Sequence, residues 1–384
     1  MEFISKTFSG LEEILADELR KIGAGNVTAA RRAVYFSGDK STLYRINYLS
    51  RLSVSVLRKI AGFSIKDDGD LYRKSLDIEW EAYMSPSDTF SVVPVVDSGI
   101  FRHSGFAGLR LKDAIADYFR KKRGIRPSVD RESPDITVNL HISGNRVTVS
   151  LDSSGEPLFK RGYRKGTGDA PLNEVLAAAL IILSGWKPDD ILIDPMCGSG
   201  TILTEAVMNA SSIPSGYFRK SYGFMRWKDY DEALFSEIRE RSNKEIKVPG
   251  KINVKGYDIS EEAVNTARRN IKAAGLEEII SVGQKDFMEL HPEGSSGYLI
   301  FNPPYGERMN KEDLTGFYER IGQHLKYHYG NYTACILSPS EGPVRRIGLK
   351  PSARYRLYNG PIECYLLVFE LYEGSKKLKN RNIT

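Results

Sequence analysis

A chain of 384 residues is too long for one ordinary hydrophobic core and fits two or three domains. Apolar residues at 41% and charged residues at 27% exclude a disordered or fibrous protein. The longest apolar run, Val175 to Ser184, falls short of the roughly 18 residues that span a bilayer, so no membrane helix is expected. The net charge of +6 lies wholly in the first half: residues 1–166 carry 27 Lys/Arg against 21 Asp/Glu, and residues 167–384 carry 28 against 28. Such a bias is the footprint of a phosphate-backbone binder, although a solvated surface of that size can carry as much.

The first segment reads as a small α+β unit. Residues 11–19 have helical apolar spacing, residues 23–26 end that helix, residues 34–38 form a short strand and turn, and a second helical pattern covers residues 41–57. A strand follows at residues 90–93 and a helix at residues 111–122. Residues 136–140 and 147–151 then alternate with period two about the turn Ser143-Gly144-Asn145, as in a hairpin. The glycine- and charge-rich passage 160–169 breaks the pattern and marks a boundary. Beyond it strands alternate with helices: strands at 191–193, 253–257, 280–282, 297–301, 333–337 and 365–371, helices from Gly200, from Ser260 and over 317–328. This rhythm predicts a mostly parallel sheet covered by helices on both faces. Residues 376–381 read as a frayed basic tail.

Chemistry concentrates at the carboxyl ends of those strands. Asp194-Pro195-Met196-Cys197-Gly198-Ser199-Gly200-Thr201 ends an apolar strand in an acid and turns through glycines into a helix, where ligands of open α/β sheets sit. Glycine lets backbone approach the ligand, and the helix start offers free N–H groups to a carboxylate. Asp258, followed by Ile259, ends the next strand and can accept both hydroxyl bonds of a ribose, or merely cap the helix from Ser260. Asp286-Phe287 follows a third strand, suited to an adenine amino group and ring face. Asn302-Pro303-Pro304-Tyr305 follows the fourth. Its two prolines make a stiff loop rich in carbonyl acceptors and without N–H donors. The Asn302 side-chain oxygen and the Pro303 carbonyl can accept both hydrogens of an exocyclic amine while Tyr305 stacks on the base. Together these four sites point to an S-adenosylmethionine-dependent amino-group methyltransferase, without separating adenine from guanine. Cys197, Cys335 and Cys364 are too scattered for disulfides or zinc, and Cys197 and Cys364 read as packing residues rather than nucleophiles. His103, His141, His291, His324 and His328 show no metal-ligand spacing and read as surface or capping residues, so no metal is expected.

These residues resemble the THUMP-domain Rossmann-like RNA methyltransferases, and among them the bacterial large-subunit rRNA guanine-N2 methyltransferases. The likeness rests on Phe8-Ser9-Gly10-Leu11-Glu12, on residues 111–117, 151–164 and 170–174, on Asp194 to Thr201, and on Asn302-Pro303-Pro304-Tyr305-Gly306-Glu307-Arg308. It implies an α/β fold: a Rossmann-like domain with a mostly parallel seven-stranded sheet at residues 171–384. A ferredoxin-like segment (1–50), a THUMP-like RNA-binding domain (51–155) and a linker (156–170) would precede it. It further implies S-adenosylmethionine held by Asp194, Pro195, Cys197, Gly198, Ser199, Gly200, Thr201, Asp258, Ile259, Asp286 and Phe287, and a base held by Asn302 to Tyr305. RNA, most of all 23S rRNA, is the implied partner, with Lys112, Lys121, Lys122, Arg123, Arg161 and Arg164 as candidate contacts. Separately, Met1 to Lys6 mixes charges early and lacks the basic start and apolar stretch of a secretory signal, so a cytoplasmic location is expected. Residues 218–227, aromatic and basic, resemble a family insertion that borders the RNA or forms a cap on the catalytic domain. Some relatives carry a second methyltransferase domain, so a single modification is expected here. Competing readings are an N6-adenine DNA methyltransferase, a tRNA guanine-N2 methyltransferase and a non-catalytic ribosome assembly factor.

Overall fold

The computed structural model describes residues 1–166, 172–304, 311–339 and 343–372. Tyr305 to Arg308, Ala170-Pro171, residues 167–169 and the basic tail 376–381 lie outside them. The chain divides into two compact units, neither of them a continuous stretch. One comprises Met1–Thr7, Glu12–Leu158 and Arg219–Arg241; the other comprises Phe8–Leu11, Phe159–Phe218 and Ser242–Thr384.

The first unit is built on β1 (Glu2–Lys6), α1 (Glu12–Ile22), β2 (Gly25–Ala30), β3 (Ala33–Ser37), α2 (Lys40–Leu49), β4 (Ser55–Ser64), α3 (Asp68–Leu76), β5 (Phe90–Asp97), α4 (Ser104–Arg123), β6 (Ile136–Ser143) and β7 (Arg146–Asp152). Its seven strands form one sheet in the order β2-β3-β1-β4-β7-β6-β5, antiparallel except for β5 on β6. The expected hairpin is β6–β7, with Gly144 at φ 60° in its turn. Along β6, Ile136, Val138, Leu140 and Ile142 are fully buried while Thr137 and His141 are half-buried and Ser143 exposed, a period-two pattern that only the buried Asn139 breaks.

Two expectations are corrected in this unit. The helix expected over residues 41–57 is α2 alone, capped by Asp39, whose carboxylate accepts the Thr42 N–H at 2.7 Å. Residues 52–57 are not helical, because Leu52-Ser53-Val54-Ser55-Val56 alternates with period two and feeds β4, and the turn before it is pinned by Glu18, which accepts the Arg51 and Leu52 N–H groups. Strand β2 was not expected at all. It is the sheet's edge and is nowhere fully buried, so its residues carry no apolar alternation.

Arg219–Arg241, which lies in sequence between strands of the second unit, packs in the first. Phe224 and Phe235 join Tyr44, Tyr222 and Tyr230 in an aromatic cluster, with the Phe224 ring 4.4 Å from that of Tyr44 and 5.1 Å from that of Phe235. The Arg58 guanidinium lies 4.1 Å from the Trp227 ring centre and 2.6 Å from the Asp229 carboxylate. Arg219 donates to the Ser154, Glu156 and Pro157 carbonyls. The insertion is therefore a structural part of the first unit.

The second unit holds α5 (Glu174–Ser184), β8 (Ile191–Asp194), α6 (Thr201–Ala210), the last turn of α7 (Glu232–Lys244), β9 (Asn253–Asp258), α8 (Glu261–Ala273), β10 (Ile280–Gln284), β11 (Gly297–Phe301), α9 (Lys311–His328), β12 (Tyr332–Pro339), β13 (Ala353–Asn359) and β14 (Ile362–Glu370). The sheet order is β10-β9-β8-β11-β12-β14-β13. The first five strands are parallel, and β14 and β13 are antiparallel to their neighbours. Leu299 and Phe301 enter a core with Tyr318, Ile321, Leu325, Ile336 and Leu367, which lies on the α9 side. Ile300, between them, is equally buried on the opposite face, where α5 meets β11 and β12. Burial on both faces makes these parallel strands read as continuous apolar runs. Among the described residues, no helix is long and apolar enough to cross a membrane.

Candidate cofactor and base site

Four adjacent parallel strands, β10, β9, β8 and β11, deliver Asp286, Asp258, Asp194 and Asn302 to one edge of the sheet. In such a sheet the carboxyl edge is where a ligand crevice opens. After β8 the chain turns through Gly198 (φ 53°) and Gly200 (φ 77°) into α6. Both lie in the left-handed region that favours glycine, and a side chain built on Gly198 would point into open space, so the backbone itself is presented. Gly200 caps α6 with no side-chain bond, leaving the first helical N–H groups to other partners. The next strand runs close against this turn: a Cβ on Gly256 would meet Leu203 Cδ1 at 2.4 Å and Cys197 Sγ at 3.2 Å.

The acids have distinct surroundings. Asp194 is 1% exposed, accepts the Met196 N–H at 3.2 Å, and has its carboxyl pushed well above the ordinary range by burial and by the neighbouring Asp258 charge. Asp258 accepts the Gly198 N–H at 2.9 Å on one oxygen and the Ser260 N–H at 3.0 Å on the other, tying the end of β9 to the glycine turn. The cap of α8 is Ser260, whose hydroxyl accepts the Ala263 N–H at 3.3 Å, so Asp258 anchors the turn without being the cap. Asp286 accepts the Met288 N–H at 2.9 Å. Ile259 is 68% exposed, an apolar side chain held in the open beside Asp258, whereas Pro195 and Thr201 are buried and Ser199 is half-buried.

The residues fit S-adenosylmethionine. A buried acid beside a second carboxylate favours a cationic guest, a backbone cradle with open space above Gly198 can admit it, and the exposed Ile259 offers an apolar face to an adenine ring. Phe287 departs from its expected role. Its ring is 3% exposed and turned into the core, against Phe301 (5.6 Å) and His324 (4.9 Å), because the apolar side chain completes the α9 packing instead of facing the crevice. Cys197 is buried, with its thiol pushed well up by desolvation, as a packing residue would be.

At the end of β11, Pro303 is buried and Asn302 half-buried. Asn302 Oδ1 is buried with no hydrogen-bond partner among the described residues. A buried acceptor left unpaired costs stability, so such an atom marks a place where a donor is meant to come. Tyr305 lies outside the described residues.

The six candidate RNA contacts separate into two groups. Lys112, Lys121, Lys122 and Arg123 lie on α4, the last three in its final turn, where Lys122 pairs with Glu79 at 2.7 Å and Arg123 with Glu81 at 2.5 Å. Arg161 is corrected: at 1% exposure it lies in the core beside Glu205, 3.5 Å away, because a buried carboxylate needs a cation. Arg164 is also committed inward, donating to Thr201 Oγ1 and the Leu172 carbonyl, both at 2.9 Å, and lying 3.3 Å from Glu174. Neither offers a guanidinium to RNA. His324, expected at the surface or as a cap, is buried with Nε2 2.9 Å from the Leu290 carbonyl. Among the described residues, no group of His, Cys, Asp or Glu is placed to hold a metal ion.

Comparison with known proteins supplies the family. Residues 161–367 match the RMKL-like methyltransferase domain, residues 66–152 the THUMP domain and residues 2–57 the RlmL ferredoxin-like domain. A candidate RNA methyltransferase of Synechocystis is 39% identical over 94% of this chain and 95% of its own. A ribosomal RNA large subunit methyltransferase K/L of Photobacterium profundum is 37% identical over 98% of this chain but 54% of its own, so the chain spans about half the length of that relative. The crystal structure of a candidate methyltransferase in complex with SAH superposes with a TM-score of 0.87 at 26% identity, covering 97% of this chain and 99% of that one. The chain belongs to the RMKL-like methyltransferase family, with ferredoxin-like and THUMP domains ahead of a Rossmann-like catalytic domain, and S-adenosylmethionine is its cofactor.

Proposed function

We propose that this protein methylates the exocyclic N2 amine of a guanine in large-subunit (23S) rRNA. The observation that carries the amine assignment is the buried Asn302 Oδ1 at the carboxyl end of β11, next to the Pro303 carbonyl and without a hydrogen-bond partner among the described residues. The cofactor supplies an electrophilic methyl group on a sulfonium. Asn302 Oδ1 accepts one amine hydrogen and the Pro303 carbonyl the other, which aims the nitrogen lone pair at that methyl and excludes competing rotations. No strongly basic side chain is required, because the amine becomes acidic once it is methylated and releases its proton afterwards. Tyr305, as the residue after Pro304, stacks on the extracted base. Asp258, Ile259 and Asp286 hold the ribose and adenine of the cofactor, with Asp194 and the glycine turn on its amino-acid end. Two kinds of relative support RNA as substrate: the THUMP domain matched by residues 66–152, and relatives named as ribosomal RNA large subunit methyltransferases. The exposed basic end of α4 is suited to the phosphate backbone.

Nucleoside mass spectrometry of rRNA from a strain lacking the gene tests the assignment. One N2-methylguanosine should disappear from the large-subunit rRNA and return on complementation. An unchanged rRNA together with methyl transfer by the purified protein to tRNA, or to N6 of adenine in duplex DNA, would replace this substrate with that one. The cofactor placement has its own check. Asp258→Ala removes the acceptor of both the Gly198 N–H and the ribose, and charged hydrogen bonds of this kind contribute about 1.5–3 kcal/mol, so SAH affinity should fall roughly 10- to 100-fold by calorimetry. An unchanged Kd would remove Asp258 from the site.

A further inference from the structure

We propose that Asn270, on α8, is the positioning residue of the cofactor turn, and that through it the segment 161–166 is coupled to cofactor binding. Asn270 is 1% exposed and uses its whole hydrogen-bonding capacity. Its Oδ1 accepts the N–H groups of Lys165 (2.8 Å) and Gly166 (3.1 Å), and its Nδ2 donates to the carbonyls of Gly166 and Ser199, both at 3.0 Å. Two donors face one end of the amide and two acceptors the other, so only one orientation of the side chain satisfies the site.

Ser199 lies between the two left-handed glycines, inside a turn that the Gly200 N–H closes on the Cys197 carbonyl at 2.8 Å. Side chains from elsewhere hold the rest: Asp258 takes the Gly198 N–H and Asn270 takes the Ser199 carbonyl. The same six-residue segment grips the helix that the turn opens. Arg164 donates to Thr201 Oγ1, which in turn lies 3.1 Å from Ser199 Oγ, and the Tyr163 hydroxyl donates to Glu205 at 3.1 Å. Glycine, arginine and tyrosine of 161–166 thus act as a strap behind the turn, with Asn270 as its buckle. Because a ligand cradle works only when its supporting bonds fix it, loss of the Asn270 donors should loosen the turn selectively. By linkage, a ligand that fixes the turn must also fix the strap.

The inference rests on reading residues 194–201 as the cofactor turn, and the experiment separates the two. Asn270→Asp keeps an oxygen for the Lys165 and Gly166 amides and removes both donors, whereas Asn270→Ala removes all four bonds. Calorimetric titration with SAH should show affinity falling about tenfold or more for Asn270→Asp and further for Asn270→Ala, while RNA affinity stays within about twofold. A residue that only stabilises the fold would lower Tm and leave the SAH Kd of the folded protein unchanged, and that result overturns the proposal. If Asp258→Ala loses SAH and Asn270→Asp does not, the strap is wrong and the turn is right; if both bind SAH normally, the turn reading fails first. Should the Asn270 variants not fold, hydrogen exchange on the unaltered protein decides. SAH is expected to protect the Lys165 and Gly166 amides together with 198–201, and protection of 198–201 alone rejects the coupling.

Discussion

Asn302→Ala is expected to lower kcat by about a hundredfold or more while RNA affinity and the KM for S-adenosylmethionine change only severalfold. The reason is the division of labour in the proposed site. In that proposal RNA is gripped by phosphate contacts away from the reacting amine and the cofactor by strand ends β8 to β10, whereas Asn302 touches only the amine and acts only when the nitrogen is aligned. Misplacing a reacting group by about 1 Å costs on the order of a hundredfold, which sets the scale. Asn302→Asp is a sharper probe, since it keeps an acceptor where Oδ1 stands but adds a negative charge beside a reaction at a cation. Single-turnover methyl transfer from labelled cofactor reads the step directly. If Asn302→Ala lost RNA binding in parallel with turnover, the asparagine would be a gripping residue and the amine placement would be wrong.

The catalytic half of the fold was readable because of how parallel sheets are buried. Strands β8, β11 and β12 are covered on both faces, so each shows as a run of apolar residues, which a polar residue ends at the carboxyl edge: Asp194, Asn302 and Ser338. The sheet edges were not readable. Strand β2 is exposed or half-buried throughout, and β13 has an exposed stretch at residues 354–356, so neither had a burial pattern to impose on its sequence. Side-chain direction was a second limit. Phe287 follows an acid at a strand end, as an adenine-facing residue would, yet its ring completes the packing with Phe301 and Tyr329. Arg161 stands in a basic passage, and only the approach of Glu205, distant in the chain, reveals its buried pairing. Asn270 does leave a signal in the sequence: Val264, Ala267 and Ile271 mark the buried stripe of α8, and a polar residue placed in that stripe must have partners inside.

The allegiance of the insertion was the least readable feature, since aromatic residues at 218–227 announce a packed cluster without saying what they pack on. Phe224→Ala tests the answer. The ring is fully buried and touches Tyr44 of α2 together with Tyr222, Tyr230 and Phe235, so its removal leaves a cavity that these large neighbours cannot close by small shifts. Truncations of this kind cost about 3–5 kcal/mol. At about 2–4 °C per kcal/mol for a unit of this size, Tm should fall by roughly 10 °C. The location of the loss matters more than its size. Hydrogen exchange should accelerate in α2 and in the first half of β4, where Arg58 meets Trp227 and Asp229, while β8, β11 and β12 keep their protection. Exchange that instead opened α5 and α6 and spared α2 would assign the insertion to the catalytic unit. A loss confined to α2 and β4 would show that residues 219–241, although they interrupt the catalytic domain in sequence, are needed to complete the fold of the domain that precedes it.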